Sequence, residues 1–174
     1  MQLATPGRYA AVDVHYPGTG GAVAALVVAA DLTFTTVVLE RTAELDDVAA
    51  YRPGEFYARE LPPLRAVLTG VDRPNLIVVD GYVQLDPHGR PGLGAYVHAE
   101  FRVPVIGVAK TAFRGAGHAI EVRRGTATRP LYVTSAGLAP DEAVAIVGHM
   151  AGQHRLPAAL RRVDVLARSA ARSG

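Results

Sequence analysis

The sequence predicts an α/β protein built on a mixed central sheet, in which three antiparallel strands come first, parallel strands follow, and helices flank the layer. Three observations carry this. Leu76-Ile77-Val78-Val79 is an unbroken apolar, mostly β-branched run that ends on Asp80-Gly81. A strand buried on both faces looks like this, since a half-exposed one would alternate with polar residues. Val103 to Val108 repeats the pattern after a helical stretch, and a strand, helix, strand order of this spacing implies a right-handed parallel crossover. Upstream, three strand patterns are separated only by short turns, which fits an antiparallel meander because a parallel connection needs roughly a dozen residues or more.

Taken in order, Tyr9 to Val14 reads as the first strand, with Asp13 near its end, and Tyr16-Pro17-Gly18-Thr19-Gly20-Gly21 as the turn after it. Ala22 to Ala30 is the second strand, Asp31 makes the next turn, and the β-branched stretch Thr33 to Leu39 is the third. From Pro53, suited to a first helical turn, the pattern is helical through Glu60; Pro62-Pro63 then ends or kinks the helix and Leu64 to Leu68 resumes it. Next come the strand Leu76 to Asp80, a glycine- and proline-rich loop from Gly81 to Pro91, a helix over Gly92 to Phe101, and the strand Val103 to Val108 with Lys110 just past its end. His118 to Arg123 and Leu131 to Thr134 are short strands, the second followed by a turn at Ala136-Gly137. Asp141 and Glu142 occupy a first helical turn, where the dipole favours them; Ala143, Val144, Ile146, Val147 and Met150 give that helix its apolar face, and Gly152 closes it. Pro157 opens a last helix that runs to about Arg168 and carries Asp164, and residues 169–174 are expected to fray. This layout is that of the ribonuclease H-like fold, and with no repeat or linker in view residues 1–174 are expected to form one domain.

Composition narrows the chemistry. Hydrophobic residues make up 49% and charged ones 20%, a globular profile that argues against long disorder. There is no cysteine, which excludes disulfides, thiolate metal sites and a cysteine nucleophile, so any metal must be held by oxygen or imidazole. The longest apolar run, Ala22 to Ala30, is too short to span a bilayer, and Met1 to Arg8 lacks the regions of a signal peptide; a cytoplasmic monomer without membrane contact is expected. The net charge is only +2, yet Lys110 is the sole lysine in a chain that otherwise writes arginine. Arginine-rich coding explains the bias by itself, but a compact ammonium is not interchangeable with a planar guanidinium where a point charge is needed.

The ends of strands in open α/β sheets border the crevice where ligands bind, and Asp80 falls there, although Asp-Gly alone also serves simply to turn a chain. In a ribonuclease H-like sheet the ends of the first strand and the first parallel strand are neighbours, which sets Asp13 and Asp80 about 4.8 Å apart across one strand spacing. Two carboxylates that close stay ionised together only with a cation between them, and an all-oxygen, thiol-free donor set suits Mg²⁺ or Mn²⁺.

Several separated segments then resemble the endonuclease V family, the inosine-directed nucleases, over Asp13 to about Ala167. Ala50-Tyr51-Arg52-Pro53-Gly54 followed by Ala58-Arg59-Glu60 is similar to the family's Pro-Tyr-Ile-Pro-Gly and Phe-Arg-Glu segment. Val79-Asp80-Gly81 matches its Val-Asp-Gly, Ile106-Gly107-Val108-Ala109-Lys110 its Gly-Val-Ala-Lys, and Leu131-Tyr132-Val133 and Arg155-Leu156-Pro157 with Asp164 complete the set. Each piece is weak alone, and their order and spacing make them specific together.

The resemblance implies that Asp13, Glu60, Asp80 and Asp164 are metal carboxylates and that Lys110 sits beside the scissile phosphate. Two divalent ions roughly 3.5–4 Å apart would balance the acids, one activating water for in-line attack and one stabilising the leaving 3′ oxygen. Tyr51 resembles the wedge that props the duplex open while the base is flipped, or it staples the start of its helix; Pro53 lies in the same wedge segment. Gly54, Phe56, Gly81 and Phe113 match positions that line the base pocket, and both phenylalanines equally suit a core. The pattern departs at Asp86, where the family has histidine, so His88 or Arg90 takes over phosphate contact or Asp86 binds metal; Val83 replaces a glycine, and Ala50 and Arg52 replace two wedge-segment residues.

The function expected from the resemblance is a metal-dependent endonuclease that recognises deoxyinosine, or inosine in RNA, and hydrolyses the second phosphodiester bond 3′ to it. The alternatives are the same site with another preference, for RNA, flaps or mismatches, and a nucleic-acid-binding module that no longer cuts.

Overall fold

The apolar runs become strands and the amphipathic stretches helices in the computed structural model, which describes residues 7–50, 52, 53 and 55–173. In chain order these are β1 (Tyr9–His15), β2 (Ala22–Ala29), β3 (Val37–Leu45), α1 (Phe56–Leu68), β4 (Leu76–Asp80), α2 (Leu93–Phe101), β5 (Val105–Ala109), β6 (Ile120–Val122), β7 (Leu131–Ala136), α3 (Pro140–His149) and α4 (Ala158–Arg172). Among the described residues one sheet contains every strand, in the order β3-β2-β1-β4-β5-β7-β6. β1 to β3 form the expected antiparallel meander, and β1, β4 and β5 run parallel, with Val12 opposite Val79 and Asp80 opposite Val108.

Two apolar layers sandwich this sheet. On one face Ala11, Val78, Ile106 and Leu131 pack with Val147 of α3 and Leu160 and Val163 of α4. On the other, Val12, Leu26, Ile77 and Val79 pack with Leu64 and Val67 of α1 and Val97 of α2. The central strands β2, β4 and β5 are therefore enclosed from both sides, which is why they read as unbroken hydrophobic runs.

Several boundaries differ from the sequence reading, each for a physical reason. The third strand begins at Val37 instead of Thr33 because Asp31 caps the intervening turn: its carboxylate accepts hydrogen bonds from the backbone N–H of Thr35 (3.0 Å) and Thr36 (2.8 Å) and from the Thr33 hydroxyl. That turn drives Phe34, at a positive φ of 58°, into the α4-side core, where it is 4% exposed. Pro62 and Pro63 do not break α1, and the helix starts at Phe56, leaving Pro53 in the turn before it. The prolines deprive the Ala58 and Arg59 carbonyls of helical donors, but Leu64, Val67 and Leu68 beyond them are buried against the sheet and hold the helix to its course. β5 starts at Val105 and β6 at Ile120, later than expected, and β7 runs on to Ala136. α3 ends at His149, short of Gly152, whose φ of 111° falls in the following loop. α4 continues to Arg172 instead of stopping near Arg168, with Ala170 and Ala171 partly buried against the core.

Candidate active site

The parallel register of β1 and β4 decides the first step of site assembly. Val12 and Val79 are partners, so Asp13 and Asp80, each next in its strand, lie side by side at the carboxyl end of the sheet. They share a face as well: residues two apart on a strand point the same way, and Ala11 and Val78 belong to the α4-side core. Glu60 arrives from the second turn of α1 close enough to feel the charges of Asp13 and Asp80, and the three residues line one void of about 10 Å³, together with Leu64 and Leu93. A space of that size holds about one water-sized body.

The electrostatics of this point are those of an acidic centre short of positive charge. Burial, then the Asp80 carboxylate, push the Asp13 carboxyl up to about 7, with the Val14 N–H (2.8 Å) and Lys110 pulling the other way. Burial, then the charges of Asp13 and Asp80, push Glu60 up to about 8, against the pull of Arg59. Lys110, just past the end of β5, sets its ammonium 2.8 Å from Oδ2 of Asp80. Burial works against that ammonium, but the hydrogen bond to Asp80 and the charges of Asp80, Asp13 and Asp164 outweigh it and raise its pKa. Asp164, on the α4 side, is felt by both Asp13 and Lys110 and is paired with Arg168 one turn on, at 2.9 Å. Among the described residues, no three carboxylate or imidazole groups are drawn tight enough to grip an ion as they stand.

Beside the acids opens a cavity of about 190 Å³ with Glu60 and Asp80 at its edge and Tyr57, Gly81, Tyr82, Leu85, Leu93 and Phe113 among its walls. Its wall is built by backbone as much as by side chains. Gly81 leaves the end of β4 at a φ of 134°, a conformation that favours glycine, while its N–H donates to the Val108 carbonyl at 2.9 Å. Tyr82 donates its hydroxyl to the Thr111 carbonyl (2.8 Å) and accepts from the Phe113 N–H (3.0 Å), and its ring meets the Phe113 ring at 6.0 Å. Phe113 remains 39% exposed, so it is a wall of the cavity and not part of a core.

The other positions singled out from the sequence divide clearly. Gly81 and Phe113 line the cavity. Pro53 is exposed in the turn ahead of α1 and His88 is exposed at the tip of the loop after β4; neither lines this cavity. Phe56 is the first residue of α1, its side chain outside the described residues, as are Tyr51 and Gly54 altogether. Asp86 does not join the acids: it accepts from the backbone N–H of His88 (2.9 Å) and Arg90 (3.2 Å) and so caps its own loop. Val83 is fully buried in the α1-side core, donates its N–H to the Thr134 hydroxyl and does not line this cavity.

Sequence reasoning missed Tyr82, Tyr57 and Tyr16. Tyr57 stacks on Tyr96 with centroids 3.9 Å apart, and the Arg59 guanidinium lies 4.0 Å over the Tyr16 ring, next to Glu60. The available signal was their place: each is an aromatic residue with a polar tip within three residues of a candidate acid.

A mixed sheet of this order, with acids gathered at the carboxyl ends of adjacent parallel strands, defines a ribonuclease H-like α/β protein. The family model of endonuclease V matches residues 3–165. Endonuclease V of Streptomyces coelicolor is 33% identical over 190 aligned residues, covering 95% of this chain and 80% of that protein. The crystal structure of endonuclease V from Streptomyces avermitilis superposes with a TM-score of 0.81 at 30% identity, covering 96% of this chain and 82% of that one. Endonuclease V of Ciona intestinalis, crystallised with a 24mer DNA containing an inosine followed by a ribo-adenosine, shares the fold at a TM-score of 0.80 and 16% identity, covering 98% and 88%. The chain belongs to the endonuclease V family, whose members are nucleases.

Proposed function

We propose that this protein is a metal-dependent endonuclease that recognises deoxyinosine, or inosine in RNA, and hydrolyses the second phosphodiester bond 3′ to it, leaving 3′-hydroxyl and 5′-phosphate ends. The observation that carries the reading is the convergence of Asp13, Glu60 and Asp80 on one void at the rim of a largely apolar cavity. The Ciona intestinalis relative, crystallised with inosine-containing DNA, supports the choice of base.

The residues fit a divalent cation. Asp13 and Glu60 carry carboxyls held well above the usual range, a strain that a cation in the void would relieve, and the donors are oxygens, which suits Mg²⁺ or Mn²⁺. Asp13, Glu60, Asp80 and Asp164 would hold it. Bound there, it supplies Lewis-acid activation of the attacking water and stabilisation of the leaving 3′ oxygen. Lys110 neutralises the scissile phosphate, and its 2.8 Å contact with Asp80 keeps the ammonium at the rim where that phosphate must arrive. Gly81, Tyr82 and Phe113 receive the flipped base, whose extrusion costs least where pairing is weak, as for hypoxanthine. Tyr51, with Pro53 and Gly54, serves as the wedge in this reading.

The test is a cleavage panel of inosine-containing and ordinary strands, as DNA and as RNA, run with Mg²⁺, with EDTA, and with Asp80→Asn. Inosine-dependent cutting in Mg²⁺ alone is expected. Cutting that persists in EDTA or in the variant overturns the mechanism; equal cutting of all strands overturns the base preference.

A further inference from the structure

Beyond the acidic centre, the same strand and the same helix continue into a hollow of opposite charge. Asp13 and His15 point to one face of β1, since their partners on β2, Ala25 and Val23, both lie in the α4-side core. α4 runs alongside: the charge of Asp164 acts on Asp13, and one turn later Arg168 lines the same hollow as His15. Two residues of strand and four of helix each advance about 6–7 Å, so the two rows keep step. They end in a hollow of about 300 Å³ closed by the β1–β2 turn, in which His15, Pro17, Thr19, Arg168 and Arg172 take part. The turn is held by the Gly20 N–H donating to the Pro17 carbonyl at 3.1 Å, which presents Thr19 to the hollow. Among the described residues that line it none is acidic.

We propose that this hollow is a phosphate subsite that holds the backbone of the nucleic-acid strand on one side of the scissile bond. The inference rests on the function proposed above and goes beyond it by assigning residues outside the acidic centre and the base cavity. A polyanion laid across four acids is repelled there, and a basic hollow a short step along the same groove offsets that repulsion. At about 3.4 Å of axis per phosphate on one strand, the step from Asp13 to His15 corresponds to about two nucleotides. Arg172 and Arg168 supply the charge, with Arg168 shared with Asp164 at 2.9 Å, while the Thr19 hydroxyl and the His15 imidazole offer donors. Nothing in such a site reads a base, so the contact is independent of sequence.

Binding of labelled inosine-containing and ordinary strands in EDTA, across a salt series, tests this with Arg172→Gln, Arg172→Lys and Arg8→Gln. Arg8 pairs with Asp72 near the start of β1, at the opposite end of the sheet, and controls for net charge. Arg172→Gln should weaken binding of both strands by about five- to tenfold near 0.1 M salt and lower the salt slope by about one, while Arg172→Lys restores most of it and Arg8→Gln changes little. An unchanged affinity and slope in Arg172→Gln, or an equal loss in Arg8→Gln, overturns the subsite. Inorganic phosphate is the second arm: if it shifts the His15 imidazole resonances while Arg172→Gln leaves strand binding intact, the hollow serves a free anion and the strand assignment falls. A wild-type protein that neither binds a strand in EDTA nor cleaves one in Mg²⁺ instead defeats the functional reading itself.

Discussion

The ammonium of Lys110 lies 2.8 Å from Oδ2 of Asp80, bridging the ends of two adjacent parallel strands. The sole lysine of the chain thus lies against one of the acids that the sheet assembles, and it helps them coexist. Lys110→Met, which keeps the length and removes the charge, should reduce single-turnover cleavage at least ~100-fold, the loss typical of removing one electrostatic stabiliser. Lys110→Arg should restore it poorly, because a planar fork does not replace a compact ammonium. Cleavage within a few-fold of wild type in Lys110→Met would remove the lysine from the mechanism.

Asp13 and Glu60 impose a pH dependence on the metal-free protein. Their folded-state carboxyls titrate near 7 and 8, above the unfolded values of 3.8 and 4.5, so the folded state binds more protons in between. Stability must therefore fall as pH rises from about 4 to about 8. Glu60→Gln should flatten that decline and raise metal-free stability at pH 8.5 by on the order of 2 kcal/mol, while abolishing cleavage. Denaturant midpoints in EDTA at several pH values measure both effects, and stability that climbs through this range would contradict the assignment.

The same repulsion should make stability respond to a divalent cation. Mg²⁺ at a hundred times its Kd should stabilise the wild type by about 2.7 kcal/mol at neutral pH. Asp80→Asn should lose most of that gain. Thermal unfolding with and without EDTA gives the comparison, and equal gains in the two proteins would place the ion elsewhere.

Gly107, in the middle of β5, is required by backbone and not by conformation. A Cβ there would come within 2.6 Å of the Gly81 carbonyl oxygen and 2.9 Å of the Val83 nitrogen, the segment that shapes the cavity wall. Gly107→Ala should cost about 1–3 kcal/mol by overpacking. It should also weaken discrimination between inosine-containing and ordinary strands, because the displaced segment carries Gly81 and Tyr82. A destabilised variant with unchanged discrimination would separate the cavity from base recognition.

Much of this architecture is legible in the sequence. The runs Ala22 to Ala29 and Leu76 to Val79 announce enclosed strands because apolar side chains on both faces need two layers to cover them, and short turns fix the meander. Asp80 was visible as an acid at a strand end. The sequence could not place Val37 as the start of β3, because a single carboxylate, that of Asp31, captures the donors of Thr35 and Thr36 and withdraws β-branched residues from the sheet. Nor could it show α1 continuing past Pro62-Pro63, where burial of Leu64 and Val67 outweighs two missing hydrogen bonds.

By itself, then, the sequence determined the element types, the mixed sheet and which acids were candidates, since periodicity, turn chemistry and the thiol-free donor set are local properties. Tertiary structure alone decided which groups meet. The one-residue register between Val12 and Val79 brings Asp13 beside Asp80, the packing of α1 brings in Glu60, and the end of β5 delivers Lys110. It also set Asp86 and His88 apart on their own loop and built the basic hollow from β1 and α4, segments that lie at opposite ends of the chain. Side-chain charge and burial act through space, and only the folded chain fixes those distances.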